Sequence, residues 1–94
     1  MVAVPGRREE LLAALGEGSH DMPGCLSYVI AKDVADADAI WVTEVWDTKD
    51  SHDASLSLPG VQAAIARARP LIAGFDSGAE TEVVAGIGLG PGTV

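Results

Sequence analysis

A chain of 94 residues, almost half of them hydrophobic, holds one modest core and is small enough to gain burial by pairing with a copy of itself. Its formal net charge of -8 repels phosphate backbones and anionic bilayers, which excludes nucleic-acid binding and membrane association as primary roles. Cys25 stands alone, so no internal disulfide forms. No run approaches the roughly 20 apolar residues of a spanning helix, and the opening Met1 to Pro5 has neither the basic region nor the apolar stretch of an export signal, so a cytoplasmic protein is expected.

Val2 to Val4 reads as a very short strand, because the residue before Pro5 is biased to extended geometry and Pro5-Gly6 then turns the chain. From Arg7 the pattern becomes helical, with Leu11, Leu12 and Leu15 on one side and charged residues mostly solvated, until Gly16 and Gly18 break it. After a loop over Ser19 to Gly24, Cys25 to Lys32 reads as a strand with Leu26, Tyr28 and Ile30 on one face. Asp33 to Ala39 connects it to Ile40-Trp41-Val42-Thr43-Glu44-Val45-Trp46-Asp47, the most strand-like stretch of the chain. Both faces of that stretch are largely apolar, which predicts cover on each side. Helices can supply one cover; a partner subunit is predicted for the other.

Thr48 can cap a short helix through Leu56, and a further helix starts near Pro59 with Val61, Ile65, Ala68 and Ile72 as its apolar stripe. Pro70 should bend or end it near Arg69, with Gly74 as a stop. Glu80 to Ala85 reads as the last strand. The chain thus divides into a domain over residues 1–85 and a glycine-rich tail over 86–94, too rich in glycine for a packed element. The element order is that of an α+β, ferredoxin-like (split βαβ) fold, a four-stranded antiparallel sheet with helices on one face.

The runs Pro23-Gly24-Cys25-Leu26-Ser27-Tyr28, Glu44-Val45-Trp46-Asp47-Thr48-Lys49 and Leu58-Pro59 together resemble the pattern of the antibiotic biosynthesis monooxygenase (ABM) family, over about Pro5 to Phe75. The resemblance implies a homodimer forming a dimeric α+β barrel, with a pocket between sheet and helices in each subunit. It also implies oxidation of a small aromatic, polyketide-type or quinol substrate by molecular oxygen without metal, flavin or haem. By position, Trp46 corresponds to the family's pocket tryptophan, His52 falls where members place a polar ring residue, and Arg67 or Arg69 could supply a cation. Tyr28 and Glu44 are further substrate-binding candidates.

His52 has the intrinsic proton affinity of a general base near neutrality, against the plain alternative of a solvated histidine on a short polar helix. Trp46 lines a pocket or packs in a core, and Trp41 suits a dimer interface. Glu44 is expected in an apolar setting, with Arg67 or Arg69 as partner. His20, Asp21, His52 and Asp53 lack a recognised metal-ligand spacing, and no metal is expected. The chain contains no asparagine, and Val42 occupies the position of the family's catalytic one; Ser55 or Leu56 stands where the haem-degrading branch has its ligand histidine. These departures favour the alternative of a non-catalytic dimeric barrel that binds a small apolar ligand, and disfavour a haem monooxygenase.

Overall fold

The computed structural model describes residues 1–88. Its elements are β1 (Val2–Ala3), α1 (Arg8–Gly18), β2 (Cys25–Lys32), β3 (Ile40–Trp46), α2 (Lys49–Ser55), α3 (Pro59–Ala68) and β4 (Ile72–Gly74), with a 3-10 turn over Arg69–Leu71 before the last. Two antiparallel pairs form, β2 with β3 and β1 with β4. An antiparallel bridge from Val2 to Ala39 joins them, reinforced by the Ile40 N–H donating to the Met1 carbonyl at 2.9 Å. The resulting order β4-β1-β3-β2 is the ferredoxin-like one predicted from the element sequence.

The core lies where α1 and the end of α3 meet the middle of the sheet. Leu11, Ala14, Ala3, Ile40 and Ala68 are buried there, with Leu12, Leu15, Ile30 and Val42 packed around them. Small residues on both helices let them approach closely. Gly18 faces Ala64 so tightly that a side chain on it would collide with the Ala64 methyl. α1 ends at Gly18, the second of the two glycines expected to break it, and Ser19 closes it by donating to the Gly16 carbonyl from its backbone N–H and its hydroxyl (3.0 Å).

The last strand differs from expectation. β4 is Ile72–Gly74 rather than Glu80 to Ala85, and Ile72 belongs to the sheet instead of the α3 stripe. Pro70 ends α3 at Ala68 as predicted, and the 3-10 turn then swings Ile72 against Ala3. With β4 on one edge of β1 and β3 on the other, β1 offers Glu80 to Ala85 no free edge. Gly86 to Gly88 likewise form no helix or strand, and the rest of the predicted tail lies outside the described residues.

In β2 the register slips by one residue between Cys25 and Ser27, so that Cys25 faces Trp46 while Tyr28 faces Glu44. This bulge, at Leu26, places Tyr28, Glu44 and Trp46 toward the helices. The opposite face carries Val29, Trp41, Thr43 and Val45, and in the single chain it is uncovered: Trp41 is 54% and Val29 53% exposed. No helix among the described residues is long and apolar enough to cross a membrane.

Candidate functional site

The site begins with Gly24. It adopts φ +83 at the entry to β2, a left-handed conformation that glycine adopts without steric cost. A side chain at Gly24 would fall 2.5 Å from the Ser51 hydroxyl and 2.6 Å from an Asp47 carboxylate oxygen. The Asp47 N–H donates to the Gly24 carbonyl at 2.8 Å, so the end of β3 is pinned against this turn. Thr48 then caps α2 as predicted, its hydroxyl accepting from the Ser51 N–H at 3.1 Å. Asp47 bonds the Thr48 N–H at 2.6 Å, and its hydrogen bonds, that from Ser51 foremost, hold its carboxyl below the usual range. α2 is therefore mounted rigidly on the sheet at the point where it presents His52.

A cavity of ≈ 630 Å³ opens between the sheet and the helices, lined by Leu15, Val61, Ala64, Ile65, Ile72 and Phe75 among other apolar residues. Its volume and mostly apolar wall suit a small organic molecule. Tyr28, Glu44, His52 and Arg69 all reach this cavity, so β2, β3, α2 and the turn after α3 each contribute a polar group. Trp46 stands behind them. Its indole meets His52 edge-on with ring centroids 5.4 Å apart, and its N–H donates to Glu44 at 3.1 Å. Tyr28, directly opposite Glu44, has its phenol pushed up to about 12 by burial, with the charges of Glu44 and Cys25 adding to the shift. At neutral pH it is a proton donor and not a base.

Glu44 differs from the expected apolar, arginine-paired carboxylate. It is exposed at the cavity wall, and its partner is the Trp46 N–H. Arg67 points elsewhere, pairing with Glu17 on the helical surface, and does not line the cavity; Arg69, two residues on, does. Cys25 sits behind Tyr28 with its thiol pushed up by burial, which leaves it an unreactive thiol at neutral pH. Among the described residues no cluster of three or more His, Cys, Asp or Glu side chains is arranged to hold a metal ion.

Sequence reasoning missed Met22 and Phe75 in the cavity wall. Met22 lies in the Ser19 to Gly24 loop, where no periodicity marks it, and Phe75 follows the stop expected at Gly74, where a lone aromatic is a usable signal. It also missed Arg8. This side chain donates to the carbonyls of Asp36 (2.9 Å), Asp33 (3.2 Å) and Ala39 (3.4 Å), tying the loop before β3 to α1. Trp41 of β3 reaches back to the same loop, its N–H donating to Asp33 at 2.7 Å, and that bond, with the Asp36 and Ala35 N–H groups, lowers the Asp33 carboxyl to about 2.

Comparison with known proteins bears on the same elements. No curated protein shows a significant match to the chain. A crystal structure from Deinococcus radiodurans is 21% identical, covers 89% of this chain and 93% of its own, and superposes with a TM-score of 0.63, a likeness of fold. One from Chloroflexus aurantiacus J-10-fl, of a protein that carries the antibiotic biosynthesis monooxygenase name, is 61% identical over 96% of this chain and 92% of its own, with a TM-score of 0.93. The sequence model described as antibiotic biosynthesis monooxygenase matches residues 3–67, the span that builds β1 through α3 and most of the cavity wall, and the chain belongs to that family.

Proposed function

We propose that this protein is a cofactor-independent monooxygenase that oxidises a small aromatic, polyketide-type or quinol substrate with molecular oxygen. The observation that carries the reading is the convergence of His52, Glu44, Tyr28 and Arg69 on one mainly apolar cavity. His52 is the base. It takes the proton from an electron-rich phenol or activated methylene, and the electron pair stays on the substrate as a delocalised anion. Arg69 and the un-ionised Tyr28 hydroxyl are the groups that stabilise that anion. Oxygen then adds to the anion. For a methylene substrate one oxygen atom ends in the new carbonyl and the other leaves in water with both methylene hydrogens, so the substrate supplies all the electrons.

The same reading takes a homodimer as the working unit. The uncovered face with Val29, Trp41 and Val45 is apolar, and a second copy packed there completes an α+β barrel. Val42 supports a second reading, a binding protein without turnover, because it puts an aliphatic group beside Glu44 where the family's asparagine belongs.

Oxygen uptake decides between the two readings. The purified protein is mixed with a panel of anthrones and hydroquinones, with chelator present and no cofactor added. Uptake above the uncatalysed rate is expected, and His52→Ala should lower it by about 10²–10⁴-fold, the usual range for a lost general base. Saturable binding with no uptake would reject the oxygenase and leave the binding module.

A further inference from the structure

We infer that Asp53 is the positioning residue that fixes the tautomer of His52, holding the proton on Nδ1 so that Nε2 presents its lone pair to the cavity. The inference rests on the reading of His52 as the base.

The geometry comes from three contacts on the His52 ring and its backbone. Nδ1 lies 3.2 Å from an Asp53 carboxylate oxygen, and an ionised carboxylate can accept but not donate, so the ring nitrogen facing it is the donor. Trp46 meets the ring edge-on at an interplanar angle of 79°, which limits its rotation. Ser55, itself buried, donates its hydroxyl to the His52 carbonyl at 2.6 Å and anchors that turn of α2. Among the described residues Asp53 is the only carboxylate within ion-pair distance of the ring. The other charged groups of the cavity, Glu44 and Arg69, line the same space without bonding to it.

A neutral imidazole in water favours its proton on Nε2, which would leave Nδ1 as the basic atom, turned toward Asp53 and away from substrate. With the proton on Nδ1, Nε2 is free to accept. When Nε2 takes the substrate's proton, the O–H or C–H bond breaks, its electron pair remains on the substrate, and the ring gains a positive charge beside the Asp53 carboxylate. No oxidation occurs in that step.

The test reads the tautomer directly and needs no turnover. The full chain is labelled with ¹⁵N-histidine and its ring nitrogens are correlated to the ring protons at a pH where both histidines are neutral. Only His20 and His52 contribute, and His20, exposed in the loop after α1, serves as the unconstrained reference. The expected result is a pyridine-type resonance at Nε2 of His52. In Asp53→Ala it should move to Nδ1, with circular dichroism unchanged because the Asp53 side chain is exposed. A pyridine-type Nδ1 in the wild type, or a tautomer that Asp53→Ala leaves alone, would overturn the assignment. If the tautomer shifts as stated but neither protein consumes oxygen, Asp53 positions the ring and the oxygenase reading is what fails. If both proteins turn over, Asp53→Ala should lower kcat and leave KM unchanged.

Discussion

Replacing Gly24 with alanine should be among the most damaging single-methyl additions in this protein. Two costs combine. An L-residue held at φ +83 gives up about 1–2 kcal/mol relative to glycine. The new methyl would also lie 2.5 to 2.6 Å from Ser51 and Asp47, well inside van der Waals contact, and forcing such a group into a packed place costs about 1–3 kcal/mol more. The sum is about 2–5 kcal/mol, and since 1 kcal/mol moves the Tm of a small domain by about 4–8 °C, even its lower end corresponds to a drop of about 8–16 °C. Thermal unfolding by circular dichroism at fixed protein concentration measures it. Gly16→Ala is the control, because a side chain there meets nothing within 4 Å and the helix interior favours alanine over glycine by about 0.5–1 kcal/mol. The two alanines should therefore move Tm in opposite directions. A Gly24→Ala protein as stable as the wild type would refute the claim that this turn anchors α2 to the sheet.

Other consequences are equally open to measurement. Leu11→Ala, at a fully buried position between α1 and the sheet, should cost about 2–5 kcal/mol by urea denaturation; a loss under 1 kcal/mol would place the core elsewhere. The chain has a single tyrosine, so absorbance at 295 nm follows Tyr28 alone; the folded protein should remain un-ionised near pH 11, and a midpoint at the ordinary value of 10.0 would contradict its burial. Because the folded-state value is the higher one, this contribution to stability is complete below pH 10 and is lost as pH rises toward 12. Asp33 has the opposite sign: its carboxyl is lowered from 3.8 to about 2, so its contribution is present above pH 4 and fades as pH falls toward 2. Asp33→Ala should flatten that acid limb in a series of Tm against pH. Sedimentation at micromolar concentration should give the mass of a dimer, and monomer alone would leave the Trp41 face without its proposed cover.

Local chemistry made most of the framework legible. Thr48 and Pro59 marked helix starts because capping and proline geometry are decided within a few residues, and the β-branched run at Ile40 could hardly be anything but a strand. What failed was decided at long range. Glu80 to Ala85 has a strand's composition, yet Ile72 takes the edge of β1 because the turn after Pro70 delivers it there first. Arg67 and Arg69 could not be separated by pattern either; which one faced the cavity depended on where α3 ended and on the Glu17 that captures its neighbour. The bulge at Leu26, which sets Tyr28 against Glu44, depends on a pairing register that one strand alone does not encode.

The grip of Arg8 on three carbonyls has a practical consequence for anyone altering this chain. The acidic connection between β2 and β3 resembles a surface loop open to length changes, and it would be a natural place to splice in an epitope or a fluorophore. Instead, the stretch around Asp38 and Ala39 accepts the hydrogen bonds of β1, and its carbonyls converge on one guanidinium. Lengthening it would pull β1 from the sheet and with it β4, whose Ile72 and Gly74 wall the cavity. Insertions belong near Ala79 instead, where the backbone takes part in no helix or strand.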